Sequence, residues 1–298
     1  MVSISFSVPF FDRVLPVSIH PLAVVSSSAQ IALNVEIGPF CVVEAGVVLG
    51  SGCILDSRAT IKEGTCLGEN NHVFEGAVIG ALPQHIHVPP QPGRVLIGSG
   101  NTVRENVTIH RALLADHATV IGDNCLLMVN THVAHDCHLG NNVIVTNNAM
   151  IAGHVRVDDR AYISGAVGVH QFCRIGTLAM VGGQAHLSQD VPPYVTVDGL
   201  SSYVVGLNKI GLRRAGYDQA AVNAIKAAYR LIYRSGLRWV EVLEQLRTSF
   251  PSGPASLFYE FLSTSARGIV SERRAPPGAT IKFRETVEAE PEVRVKFG

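Results

Sequence analysis

Branched aliphatic residues recur every six positions along most of this chain. From Ile19 the series runs through Val25, Ile31, Ile37, Val43, Leu49, Leu55, Ile61, Leu67, Val73 and Ile79. It resumes at Ile97, Val103 and Ile109. It resumes again at Ile121 and holds through Leu127, Val133, Leu139, Val145, Ile151, Val157, Ile163, Val169, Ile175, Val181 and Leu187. A helix repeats near 3.6 residues and a simple strand at two, so neither gives a six. A six-residue period belongs to a parallel β-helix, in which short strands coil around one shared aliphatic core.

The period also accounts for most of the cysteines. Cys41, Cys53, Cys125, Cys137 and Cys173 each lie four residues after a repeat aliphatic, a slot filled elsewhere by Ala23, Ala149 and Val155. These thiols are expected to fill small core positions. Two stretches interrupt the hexads, 80–96 and 110–120. In a regular coil, extra residues must leave as loops, where function often resides.

The repeat stops after Pro192 and Pro193, and helical spacing begins. Val222, Ile225, Tyr229 and Ile232 share one face, with Asp218 as N-cap and Gly236 as a stop. Two further helices are predicted around Trp239–Phe250 and Leu257–Leu262. The expected organisation is an N-terminal extension (1–18), a β-helix (19–192), a helical segment (193–270) and a flexible tail (271–298). Thr280 to Val287 is a candidate strand within that tail.

Composition excludes some classes. With 24 basic and 24 acidic residues the formal net charge is zero, which argues against a general nucleic-acid binder. No apolar run is long enough to span a membrane. The N-terminus lacks the basic start and cleavage pattern of a signal peptide. The six cysteines have no paired spacing, which suits a reducing compartment and a cytoplasmic location.

The stretch THVAHDCHLG (131–140) is the densest in chemistry-bearing side chains. If three hexads make one coil, residues eighteen apart stack in layers separated by ~4.8 Å. His135 then stacks on Gly153 and Gly153 on Gln171, while Asp136 lies beside His154 and His170 is one layer further. A histidine beside a carboxylate suits a general base. A glycine in the next layer leaves room for substrate and offers a backbone N–H to an oxyanion.

The segment HVAHDCHLGNNVIVTNNAMIAGHVRVDDRAYISGAVGVHQFCRIGTLAMVGG, followed by QDVPPY, resembles the UDP-N-acetylglucosamine O-acyltransferases, which open lipid A synthesis. The resemblance spans about 19–270 and includes AYRLIYRSG and SARGIV. It implies a left-handed parallel β-helix with an α-helical C-terminal domain, a homotrimer, and active sites between subunits. It implies acyl transfer from acyl carrier protein to the 3-hydroxyl of the nucleotide sugar. No cofactor or metal is implied beyond the carrier's phosphopantetheine.

By motif match His135 is the base, Asp136 its support and the Gly153 amide the oxyanion donor. His132, His154, His170 and Gln171 line the substrate cleft, Asn208 and Arg214 hold the nucleotide, and Met180 and Gly183 bound the acyl pocket. A glycine at 183 implies a longer acyl chain. One departure stands out. The family's loop usually reads Gln-Asp-Leu-Lys, and here it reads Gln84, His85, Ile86, His87. Ile210 also replaces a commonly acidic residue. A 3-amino sugar acceptor, giving an amide product, is therefore an alternative.

Eight basic residues against three acidic ones lie between 205 and 248. Lys209, Arg213, Lys226 and Arg230 are candidates for docking an acidic carrier protein. Two further readings compete. One is a zinc enzyme using three converging histidines, as in hexapeptide-repeat carbonic anhydrases. The other is a non-catalytic scaffold.

Overall fold

The structure, a computed structural model, describes residues 17–273. Most of its strands are two residues long and every third one pairs, so the chain winds through three parallel sheets in turn. Sheet A has eleven strands, sheet B nine and sheet C eight. Together they form the three sides of a left-handed β-helical prism. The register step is eighteen residues, as in Ser18↔Glu36, His132↔Met150 and Tyr162↔Met180. Three hexads therefore make one coil.

The six-residue aliphatics point inward. Ile61, Ile79, Ile109, Leu127, Ile151, Ile163 and Ile175 are fully buried. Ile19, on the first coil, is 44% exposed because no described coil covers it from below. The turn residue three positions after most of these aliphatics takes a left-handed backbone conformation. Asn34, Asn70, Asn124 and Asn142 fill it along one edge, where their short side chains tolerate positive φ.

Both interruptions keep the hexad phase. The step rises to thirty at Cys66↔Leu96 and to twenty-four at Leu96↔Val120. The extra lengths are thus twelve and six residues, two hexads and one. Both loops leave between sheets B and C, the first between strands Val78–Ala81 and Arg94–Ile97, the second between Thr108–His110 and Ala118–Ile121.

The cysteines Cys41, Cys53, Cys125, Cys137 and Cys173 are free and buried in the small slot. Cys53, Cys125 and Cys137 donate their S–H to carbonyl oxygens of Gly68, Gly140 and Ala152 in the next coil, each at 3.1 Å. Burial pushes the Cys125 thiol up to about 11 and that of Cys137 to about 12, so both stay protonated and unreactive. Two asparagines share this column. Asn71 donates to the carbonyls of Gly68 and Gly98, at 2.9 and 2.8 Å. Asn101 donates twice to Asn71 Oδ1, both at 3.0 Å, and accepts from the Cys125 amide at 2.7 Å.

The last coil ends in Val195–Val197, which pairs antiparallel with Val204–Leu207. Four helices follow: α1 (Lys209–Arg214), α2 (Gln219–Arg234), α3 (Trp239–Ser249) and α4 (Ser256–Leu262). Asp218 caps α2 by accepting from the Ala221 amide at 2.7 Å. Leu212, Ile225, Val242 and Phe258 pack the helices onto buried Tyr194, whose hydroxyl donates to the Pro254 carbonyl. The expected N-terminal extension, the tail and its candidate strand fall almost wholly outside the described residues.

Replacing Asn101 with Leu leaves the Cys125 amide without its acceptor, while the backbone amide of residue 101 still serves the Asn71 oxygen. It is expected to cost about 2 kcal/mol of unfolding free energy, read from denaturant midpoints against wild type.

Candidate active site

Along the edge between sheets B and C, five successive coils place loop 82–93, loop 111–117, and the turns containing His135, Gly153 and Gln171 one above another. Stacking by eighteen therefore brings the candidate residues to one edge. His135 Nδ1 lies 2.9 Å from Asp136 Oδ2. His154 Nε2 is 4.0 Å from the same oxygen. The rings of His135 and His154 meet edge to face at 5.1 Å.

His135 and Asp136 are each only 7% exposed, because the second loop folds over them. That loop supplies two groups the sequence reading missed. The Leu113 amide donates to Asp136 Oδ2 at 3.0 Å, and His117 Nδ1 lies 3.5 Å from Asp136 Oδ1. Beneath, the Asp136 amide donates to the buried Thr119 hydroxyl at 2.9 Å. Burial by itself raises the Asp136 carboxyl, but the Leu113 amide and His135 outweigh it and hold the group below the usual carboxylate range. Asp136 is thus an anion at neutral pH. Burial lowers His154, against an opposing pull from Asp136.

Gly153 is required by contact. A Cβ built there lies 2.5 Å from His135 Cε1 and 2.7 Å from Nε2. Any side chain would displace the imidazole. The Gly153 carbonyl accepts from Phe172, while its own N–H has no acceptor among the described residues.

At this edge the left-handed turn slot holds Asp136, His154 and Phe172, with φ of 59°, 60° and 66°. Asparagine and glycine prevail elsewhere, and a phenylalanine in that conformation is strained. Phe172 stacks on His154 with centroids 4.7 Å apart and planes 9° apart. The slot also departs from Asn and Gly at Phe40, Arg58, Arg160, Ala166, Leu178 and Gln184, so the departure alone does not mark this edge in the sequence.

The first loop sets His85 edge-on to His135, centroids 5.7 Å apart, with His87 beside His85. The His85 ring accepts from the His87 amide at 3.1 Å, and Gln84 is exposed. His132 lies on sheet B, hydrogen-bonded to Thr108 Oγ1 at 2.8 Å and edge-on to His110. Burial, then His110 and His135, push His132 down to about 4. His170 and Gln171 are exposed on the next turn, and the His170 ring contacts the Gln171 carbonyl. His135, His154 and His170 thus do not converge as a three-histidine zinc site. His135, Asp136 and His154 do bring three possible ligand atoms within 4.8 Å of one another.

The sequence family described as UDP-N-acetylglucosamine O-acyltransferase, domain 2, matches residues 190–270, and the bacterial transferase hexapeptide family (six repeats) matches 118–153. The chain is 42% identical over 258 residues to an acyl-[acyl-carrier-protein]–UDP-N-acetylglucosamine O-acyltransferase of Paraburkholderia phymatum, covering 85% of this chain and 98% of that one. The chain belongs to the UDP-N-acetylglucosamine O-acyltransferase family. A relative of the same name from Halorhodospira halophila is 41% identical over 254 residues, again with 85% and 98% covered. Solved UDP-N-acetylglucosamine acyltransferases agree in fold. That of Francisella novicida superposes with a TM-score of 0.82 at 35% identity, covering 89% of this chain and 99% of that one. That of Bacteroides fragilis gives 0.82 at 40% identity, with 85% and 99% covered.

The chain is accordingly an acyltransferase, and the remaining residues suggested by its family resemblance lie elsewhere in the prism. Met180 is on sheet A, paired with Tyr162 and Thr196. Gly183 is exposed at the turn from sheet A to sheet B, where an added Cβ would sit 3.3 Å from the Gly165 carbonyl. Asn208 caps α1 through the Gly211 amide and ties it to the Leu178 carbonyl, both at 2.9 Å. Arg214 is exposed at the end of α1. Lys209, Arg213, Lys226 and Arg230 are exposed and without ion pairs among the described residues. Arg234, Arg238 and Arg247 are paired with Glu272, Glu241 and Glu244.

Two predictions follow from this geometry. Phe172→Asn removes roughly 1 kcal/mol of backbone strain, so its thermal midpoint is expected to hold or rise while turnover falls with the loss of the His154 stack. The second concerns acid stability. His132 stays neutral when folded down to about pH 4, whereas the unfolded chain takes up its proton near 6.5. Its stabilising contribution is full above pH ~6.5 and is lost as pH falls toward 4. After discounting for partial exposure it is about 2 kcal/mol. His132→Gln is expected to flatten the loss of melting temperature between pH 7 and 5.

Proposed function

We propose that this acyltransferase moves an acyl chain from the thioester of acyl carrier protein to the 3-hydroxyl of UDP-N-acetylglucosamine, the opening step of lipid A synthesis. The observation that carries the reading is the buried His135–Asp136 pair set against Gly153, in a chain 42% identical to a protein of that named activity.

The chemistry follows from the ring's orientation. With Nδ1–H donated to the Asp136 carboxylate, the His135 lone pair is on Nε2, the atom facing Gly153. Nε2 takes the proton of the sugar hydroxyl as its oxygen attacks the thioester carbonyl. The carbonyl oxygen becomes an oxyanion, for which the unpaired Gly153 N–H is a donor. Collapse breaks the C–S bond, and His135 returns the proton to the carrier's thiolate. Asp136, kept ionised by Leu113 and His135, stabilises the imidazolium between the two steps.

Several observations support a homotrimer with shared sites. The base is at the B–C edge, whereas Gly183 is at the A–B edge and Met180 on sheet A, so the width of sheet B separates them within one prism. Asn208 and Arg214 lie beyond the last coil. A neighbouring subunit's edge meeting this one brings the two groups to one cleft. Unpaired Lys209, Arg213, Lys226 and Arg230 offer an acidic carrier protein a basic approach. The free cysteines suit a cytoplasmic setting. His85, edge-on to His135, and His87 beside it are the residues that bear on acceptor choice.

The test is a transfer assay read by mass spectrometry, offering 3-hydroxyacyl carrier protein and either UDP-N-acetylglucosamine or its 3-amino analogue. An ester on the common sugar is expected; an amide on the analogue alone would reassign the acceptor. His135→Ala is expected to lower turnover about 10²–10⁴-fold with the oligomer's mass unchanged. Persisting activity would remove His135 from the mechanism.

A further inference from the structure

The Asp136 carboxylate is ringed by imidazoles from three separate segments. His135 Nδ1 is 2.9 Å from Oδ2, His154 Nε2 is 4.0 Å from Oδ2, and His117 Nδ1 is 3.5 Å from Oδ1. A zinc ion takes nitrogen and oxygen ligands at about 2.0–2.2 Å, which sets donor atoms about 3.3 Å apart around a tetrahedral centre. The observed separations fall on both sides of that value. His135, Asp136 and His154 bring three ligand atoms within 4.8 Å of one another, and two imidazoles with one carboxylate suit zinc, whereas magnesium and calcium favour oxygen ligands. Metal ligation also requires unprotonated imidazoles. Half-exposed His117 gives the ion a way in.

We propose that His135, Asp136 and His154 form a reversible inhibitory zinc site superimposed on the catalytic pair. Its binding half stands on geometry alone; its inhibitory half rests on His135 being the base. The inhibition has a specific origin. Zinc bound at His135 Nδ1 takes that atom's lone pair, so the ring's one proton moves to Nε2. Nε2 can then no longer accept the sugar's proton. The bond to Asp136 is lost at the same time. No covalent change occurs, and removing the ion restores the working tautomer.

The experiment is calorimetric titration of the full-length protein with zinc chloride, magnesium chloride as control, alongside transfer assays with and without chelator. One zinc per chain and chelator-reversible loss of turnover are expected, with no effect of magnesium. His154→Ala, read by titration alone, is expected to weaken zinc binding at least about tenfold. Absence of saturable zinc binding would overturn the site, as would binding by this variant equal to wild type, which would place the ion elsewhere. Zinc bound with full activity retained would overturn the inhibitory half. A zinc-free enzyme inert toward every acceptor would instead count against the proposed activity, leaving the binding result to stand.

Discussion

Backbone hydrogen bonds between coils eighteen residues apart decide where every side chain of the active edge lies. Residues 135, 153 and 171 are neighbours in space for no reason other than that ladder. His135 accepts the His154 amide through its backbone carbonyl at 3.0 Å, and Gly153 accepts that of Phe172 at 3.2 Å. The functional spacing is therefore the strand spacing of a parallel sheet. It is held by a core of stacked aliphatics that cannot shift singly without opening voids.

The two loops add what a bare coil cannot supply. A prism edge is an exposed place, and a carboxylate there would be fully solvated. Loop 111–117 roofs the pair, contributes the Leu113 amide and holds Asp136 charged. Because each insertion is a whole number of hexads, the coils above resume in phase and the core is uninterrupted.

The fold was legible because its period is written in almost every coil, and stacking by eighteen followed from it directly. So did the grouping of His135, Asp136, Gly153 and His154. The enclosure of that group was not legible, because loops 82–93 and 111–117 have no period from which their path could be computed. Leu113 acts through its amide, which any residue type would supply. His117 was one histidine among twelve, and only the loop's path brings it to Asp136. Phe172 was visible as a residue but not as strain, since the turn slot's conformation had to be seen first. Asn208 was read through a family match, and its capping of α1 follows from local geometry that the match does not encode.

The buried asparagines carry a consequence for how such a chain can change over time. Two-residue strands index poorly: each coil could engage its neighbour one residue out of step at small cost in hydrogen bonds, with its side chains turned inside out. The danger is greatest where a coil carries an excursion. Asn71 and Asn101 stand at the start of the two coils that carry them, at the corner between sheets C and A, one sheet's width from the loops. Each acts as an indexing pin, since its amide finds partners in one alignment only. Loop length and composition on the active edge are thereby freed to drift, because alignment is fixed at a different corner. New acceptor preferences can then be tried by altering residues such as His85 and His87 while the coil count stays in step.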